Sequence, residues 1–354
     1  MSQIFSPSFR RSVLGLSGLL VSFNIGAWIW AILLFRDKPF LLGTAFLAYT
    51  FGLRHAVDAD HIAAIDNVTR KLTQGDKSPM SVGFFFSLGH ATIVVLASLI
   101  VYATAYAIEG SIGVVKEITG LAGTSVSAFF LILIAVINIM TLRGTWRAIK
   151  RARDGADYLE PSSEPILGGG ILGRILRPLF RLLSSPWQMY PVGLLFGLGF
   201  DTASEIAILG ISAAAAAKGL SLGAMAVFPV LFTAGMTLID TIDGILMAGA
   251  YGWAFIKPVR KLYYNFTITF ISVVVALLVG GIEATGVLKD HFNFSGGLWN
   301  VIDALNTNLG VLGFAIIGVF LLCWLGSLIV YRAKGLDRLE RIGRNETSGV
   351  LSRD

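Results

Sequence analysis

The chain predicts an all-α, polytopic membrane protein, and three observations predict it. Hydrophobic residues fill 55% and charged residues 14% of its 354 positions, whereas a soluble domain carries about 25% charged residues. Apolar runs long enough to cross about 30 Å of hydrocarbon as helices recur along the whole chain. The basic residues gather in alternate loops, as cytoplasmic segments do. Mean hydropathy is +0.74. The single cysteine, Cys323, lies in an apolar run, so an intrachain disulfide, a zinc finger and an iron–sulfur cluster are excluded.

The first apolar run covers about 12–35 and follows Arg10-Arg11. Twin arginines before such a run resemble an export signal. This run is 24 residues long, holds Trp28 and Trp30 and lacks a small-x-small cleavage site, so it reads as span one. Further runs at about 41–67, 81–108, 124–146, 188–216, 222–252, 262–286 and 307–331 predict eight transmembrane helices. Residues 1–354 then form a single transmembrane domain. With the N-terminus inside, 22 basic residues (Arg70 among them) fall in cytoplasmic segments and five on the opposite side, Arg54 being intramembrane. That bias puts both termini in the cytoplasm and accounts for the net charge of +6 without a nucleic-acid partner.

The stretch at about 147–187 mixes basic residues with Pro161, Pro165 and Gly168-Gly169-Gly170, and reads as a cytoplasmic connector. Gly168 to Arg174 imitates a phosphate-binding loop, but Arg174 stands in for its lysine and Ile175 for its hydroxyl residue. The cradle would lack its charge and its magnesium ligand. Uphill transport by this chain would therefore draw on an ion gradient or on a separate ATPase.

Against this apolar background, Arg54-His55-Ala56-Val57-Asp58-Ala59-Asp60-His61 is out of place. Each Asp or Arg at the centre of a span costs roughly 2.5–3.5 kcal/mol, so several within eight residues call for mutual compensation or a bound ion. Imidazole and carboxylate together suit a divalent transition metal. On a regular helix His55, Asp58, His61 and Arg54 share an arc of about 120°, and Asp66 extends that face toward the cytoplasm. Asp60 points elsewhere unless the helix is deformed, as at a π-bulge. A salt-bridge cluster of Arg54 and the histidines with the aspartates is the plainer alternative.

Other spans carry matching groups. Span three holds His90, which alone would read as a hydrogen-bonded packing residue. Span five holds Asp201 and Glu205, and span six Asp240 and Asp243. Four spans with acids or histidines at similar depth point to a shared polar pathway or ion site. A short echo relates Phe86-Ser87-Leu88-Gly89-His90 to Phe232-Thr233-Ala234-Gly235-Met236, and Phe51-Gly52-Leu53 to Phe196-Gly197-Leu198. The pairs run in opposite directions across the membrane, as inverted repeats of helices 2–3 and 5–6 would. Gly193 and Gly197 form a GxxxG pair that predicts close helix packing.

These same blocks resemble the nickel/cobalt transporter family, and within it the high-affinity nickel permeases. The resemblance rests on four blocks in order: the His-x4-Asp-His signature in residues 54–62, Phe-x-x-Gly-His ending at His90, residues 198–205, and Gly235 to Asp243. It implies eight spans and secondary import of nickel, or of cobalt, across the bacterial cytoplasmic membrane. The ion is then substrate, with no cofactor and no ATPase subunit, and His55, Asp58, Asp60 and His61 are needed for transport.

The expected route takes hydrated metal from outside, strips water at the carboxylates of spans five and six, and binds it at His55 and His61 with Asp58 or Asp60. It leaves inward past Asp66. No catalytic group is expected. Oxygen-activating membrane enzymes cluster many histidines near the surface, whereas this chain has four in all. An exporter of the same architecture is the nearer rival.

Overall fold

The computed structural model describes residues 7–75, 77–105, 183–198, 203–254, 258–308, 311–319 and 322, and 124–147 apart from 126, 137, 141 and 145. The described residues are mostly helical, with short turns among them. In order they are α1 (Pro7–Phe35), α2 (Pro39–His55), α3 (Ala59–Gln74), α4 (Val82–Ala105), α5 (Ser127–Gly144), α6 (Met189–Phe196), α7 (Ala203–Ala217), α8 (Leu222–Ala254), α9 (Pro258–Phe292) and α10 (Gly297–Thr307). Proline opens α2, where its missing N–H has no partner to lose. The body spans Met1–Gly313, and Phe314–Asp354 is a separate unit whose described residues, 314–319 and 322, are helical.

Five helices among the described residues are long and apolar enough to cross a bilayer, or seven if each of two bent pairs counts as one span. The sequence runs predicted eight uninterrupted helices, and two of those runs are broken. Run 41–67 becomes α2 and α3, bent by 52° at Ala56–Asp58 and continuing to Gln74. Run 188–216 holds α6, which ends at Phe196 before a turn at 197–198, and α7 from Ala203, residues 199–202 lying outside the described ones. Hydropathy is blind to such breaks because three residues in another conformation leave a window average unchanged. Residues 148–182, most of the expected cytoplasmic connector, lie outside the described residues, and its end at 186–188 is a 3-10 turn.

Helix α8 is the centre of the body, packing on α1, α2, α3, α4, α7 and α9. It tolerates polar residues by satisfying them locally. Thr233, Thr237 and Thr241 each donate to the carbonyl four residues back, at 2.8, 2.8 and 2.6 Å. Glycines set its crossings. A Cβ at Gly235 would lie 2.6 Å from the Tyr49 carbonyl oxygen and 3.0 Å from the Leu53 nitrogen, so only glycine lets α8 meet α2 there. Gly83 plays the same part where α4 meets the Asp240 backbone. The GxxxG pair packs as predicted, Gly193 against the Phe86 carbonyl and Gly197 against that of His90.

Candidate metal centre

The break between α2 and α3 builds the centre. His55 is the last residue of α2, and Asp58, extended at φ −64° and ψ 145°, is the N-cap of α3. An N-cap aspartate ordinarily bonds the free amides of the first turn. Asp58 makes no such bond and instead accepts from His55 Nδ1 at 3.1 Å. The shared arc of a regular helix therefore does not hold. The deformation is a full interruption rather than a π-bulge, and Arg54 is exposed on the outside of α2.

Three imidazoles converge. The His55 ring centroid lies 4.6 Å from that of His61 and 4.8 Å from that of His90, and His61 and His90 are 4.9 Å apart. One ring nitrogen from each falls within 4.8 Å of the other two. All three are buried. A tetrahedral ion with bonds of about 2.1 Å would hold its ligands about 3.4 Å apart, so a modest inward movement of these rings would close the set on one ion.

Carboxylates decide which nitrogens face inward. Asp58 takes the Nδ1 proton of His55. Asp240 takes that of His61, at 3.2 and 3.3 Å from its two oxygens, and is itself fixed by a hydrogen bond from Ser87 Oγ. Carboxylates only accept, so in both rings a proton sits on Nδ1, which in His61 leaves the Nε2 lone pair for a ligand. His61 Nε2 is buried and has no hydrogen-bond partner. His55 Nε2 lies 3.0 Å from His90 Nε2, which lies 2.9 Å from Glu205 Oε1. Glu205 comes from the first turn of α7, just after the second helix break. Phe86 meets His61 edge-on at 4.8 Å, and Phe232 lies 5.6 Å from His55, giving the cluster apolar walls.

The remaining expected residues are placed less centrally. Asp60 is half-buried, with a buried Oδ1 that has no partner, and interacts electrostatically with all three histidines. Asp243 lies one turn beyond Asp240, partly buried. Asp66 is fully buried, away from the imidazoles, accepting from Tyr251 and Ser272. Asp201 lies outside the described residues.

A family profile for high-affinity nickel-transport proteins, NicO, matches residues 41–330. The chain belongs to the NicO family. The chain is 54% identical to the "High-affinity nickel transport protein" of Cupriavidus necator over 94% of its own length and 95% of that protein's. It is 40% identical to the "High-affinity nickel-transport protein NixA" of Helicobacter pylori 26695, covering 86% of this chain and 92% of the relative. Identity to the "Cobalt transport protein NhlF" of Rhodococcus rhodochrous is also 40%, over 83% and 84%. No solved structure matches.

Sequence reasoning missed several buried polar residues in this NicO chain. Arg70, counted with the cytoplasmic basic residues, is only 2% exposed inside α3. It donates to Thr269 Oγ1 at 2.9 Å, Asn67 Oδ1 at 3.3 Å and Asn138 Oδ1 at 2.5 Å. Its nearness to Lys71 and Lys77 made it look like a loop residue. The extension of α3 to Gln74, in register with Asp66 and Asn67, was the available signal. Ser87, Tyr251, Ser272 and the buried Glu283 of α9 were also passed over, each being a single polar residue in an apolar run.

Proposed function

We propose that this protein is a secondary importer of nickel, with cobalt as a second substrate, in the bacterial cytoplasmic membrane. The observation that carries the proposal is the convergence of His55, His61 and His90 from three helical segments on one buried point. In this reading His55 and His61 bind the ion through Nε2 and His90 through one of its ring nitrogens, and Glu205 and Asp60 supply carboxylate oxygens. Asp58 and Asp240 hold the rings rather than the metal. Three imidazoles and carboxylate oxygens suit a borderline divalent ion such as nickel or cobalt better than magnesium or calcium, which prefer oxygen alone.

The chain crosses the membrane eight times with both termini inside, and its basic loops support that orientation. Spans two to three and five to six form an inverted repeat around the ion. The interruptions after His55 and after Phe196 support this, as do the matching contacts of α2 with α8 and of α4 with α6. Substrate is the only partner besides lipid; the reading includes no ATPase subunit, no nucleic acid and no enzymatic step.

The test is uptake of radioactive nickel into cells expressing the protein at verified surface abundance. His55→Ala with His61→Ala is expected to bring accumulation to background, and normal accumulation would remove the proposed site. Lower cellular nickel in expressing cells than in empty cells would reverse the direction. In competition, cobalt is expected to inhibit uptake more than manganese, following the Irving–Williams order.

A further inference from the structure

Further along α3 from the histidine cluster lies a second buried polar group around Asp66, which the sequence placed on the metal's exit route. Its carboxylate is instead engaged by hydroxyls, and the three-histidine site does not use it. Asp66 is 0% exposed. Its Oδ1 accepts from the Tyr251 hydroxyl of α8, and its Oδ2 from Ser272 Oγ of α9 at 2.9 Å. Arg70 lies one helical turn further along α3, yet among the described residues its guanidinium hydrogen-bonds neutral oxygens, those of Thr269, Asn67 and Asn138. Asn138 Nδ2 also donates to Asn67 Oδ1 at 2.5 Å, so the amides that hold Arg70 are themselves tied together.

We propose that Asp66 is a proton-binding site, loaded and unloaded once in each metal-transport cycle. The inference rests on the transport reading above. Three features carry it. First, both partners of the carboxylate are hydroxyls, which donate and accept. A proton arriving from water can bond to one Asp66 oxygen, and that oxygen then donates where it had accepted. The site is satisfied in both forms, which amide or guanidinium donors would not allow.

Second, Arg70 lies one helical turn from Asp66 on α3 but is held by hydrogen bonds to neutral oxygens. Releasing it would stabilise the carboxylate and expel the proton. A sodium ion suits the site less well, because the guanidinium would repel it. Among the described residues the other groups near Asp66 are Tyr251 and the carboxylate of Asp243 from α8, and neutral Ser272 from α9.

Third, α3 and α8 are bridged at both levels, by His61–Asp240 at the metal centre and by Asp66–Tyr251 below it. The two bridges are five residues apart on α3 and eleven on α8. A relative movement of these helices that frees the ion from His61 must also act on the Asp66 bridge. Proton occupancy and metal occupancy are then coupled through one pair of elements.

The experiment uses purified full-length protein in proteoliposomes, with radioactive nickel outside and a pH-sensitive dye inside. Wild type is expected to show nickel uptake that rises several-fold with an imposed pH gradient, together with nickel-dependent proton movement. Asp66→Asn is expected to keep nickel exchange, with equal nickel on both sides, while losing both the gradient response and the proton signal. Asp66→Glu is expected to restore them.

Wild-type uptake indifferent to pH gradients would overturn the proposal, as would an Asp66→Asn protein that still follows the gradient. Loss of exchange together with coupling would overturn it too, assigning Asp66 to the path of the metal or to the fold. Wild-type vesicles that take up no nickel at all would defeat the transport reading, and this inference with it.

Discussion

At the scale of single residues, the centre depends on which nitrogen of each ring is left without a proton. Asp240 decides this for His61, and Ser87 holds Asp240. Asp240→Asn keeps an oxygen that can accept from Nδ1 but removes the charge that raises the basicity of the ring. Nickel binding to the purified protein should weaken about 10–100-fold, the usual effect of losing such a partner. Saturating uptake should fall less than uptake at low nickel. Unchanged affinity by titration calorimetry would mean that Asp240 has no part in the site. Ser87→Ala should move affinity the same way and by less.

The same chemistry fixes the sign of the pH dependence. Imidazole binds metal only when its ligating nitrogen is unprotonated, and an ordinary histidine titrates near pH 6.5. Protons therefore compete with nickel, and the dissociation constant should rise as pH falls. Because three rings are involved, it should rise by more than tenfold per pH unit in the acid range. A slope of one proton or fewer would cut the ligand set to a single histidine.

At the scale of elements, the fold relies on backbones that nearly touch. The α2–α8 crossing has no room for a methyl group at Gly235, where a Cβ would meet Tyr49 at 2.6 Å. Gly235→Ala should push the two helices apart and destabilise the detergent-solubilised protein by about 1–3 kcal/mol, the range for overpacking. It should also lower uptake, because α8 carries Asp240. A melting temperature equal to wild type would show that the crossing relaxes freely. At the C-terminal end of α9, Lys289 pairs with Asp303 at 2.7 Å, Asp303 being mostly exposed. Such pairs contribute about 0–1 kcal/mol, so Asp303→Asn should leave melting and uptake close to wild type.

The break in span two belongs to this scale as well. The sequence reading placed His55, Asp58 and His61 on one face of a regular helix and could fit Asp60 only by invoking a distortion. The helix ends at His55 and restarts at Ala59. His55 and His61 therefore converge through a turn, and His90 joins them from α4. The motif was legible because histidine and aspartate are rare and costly in apolar runs. Its geometry was not, because a 3.6-residue period cannot describe three residues that leave the helix.

At the scale of the whole molecule, Arg70 shows how far local reading reaches. It lies beside loop lysines in the chain but inside the body in space, bonded across to α5 and α9. Arg70→Ala would leave Asn67, Asn138 and Thr269 without their shared donor and should destabilise the protein by about 1–3 kcal/mol. Thermal unfolding in detergent measures this, and a change below about 1 kcal/mol would show that water replaces the guanidinium.

By itself the sequence determined the membrane class, the approximate runs, the basic bias of the loops and the rare residues that carry the chemistry. Each depends on transfer costs that belong to the residues themselves. Tertiary structure alone decided which of those residues meet. The bond joining His55 to His90 spans 35 positions, that from His61 to Asp240 spans 179, and that from Ser272 to Asp66 spans 206. Such pairings form only when separate helices are packed at fixed crossings, and no local pattern records which distant side chain will supply the partner.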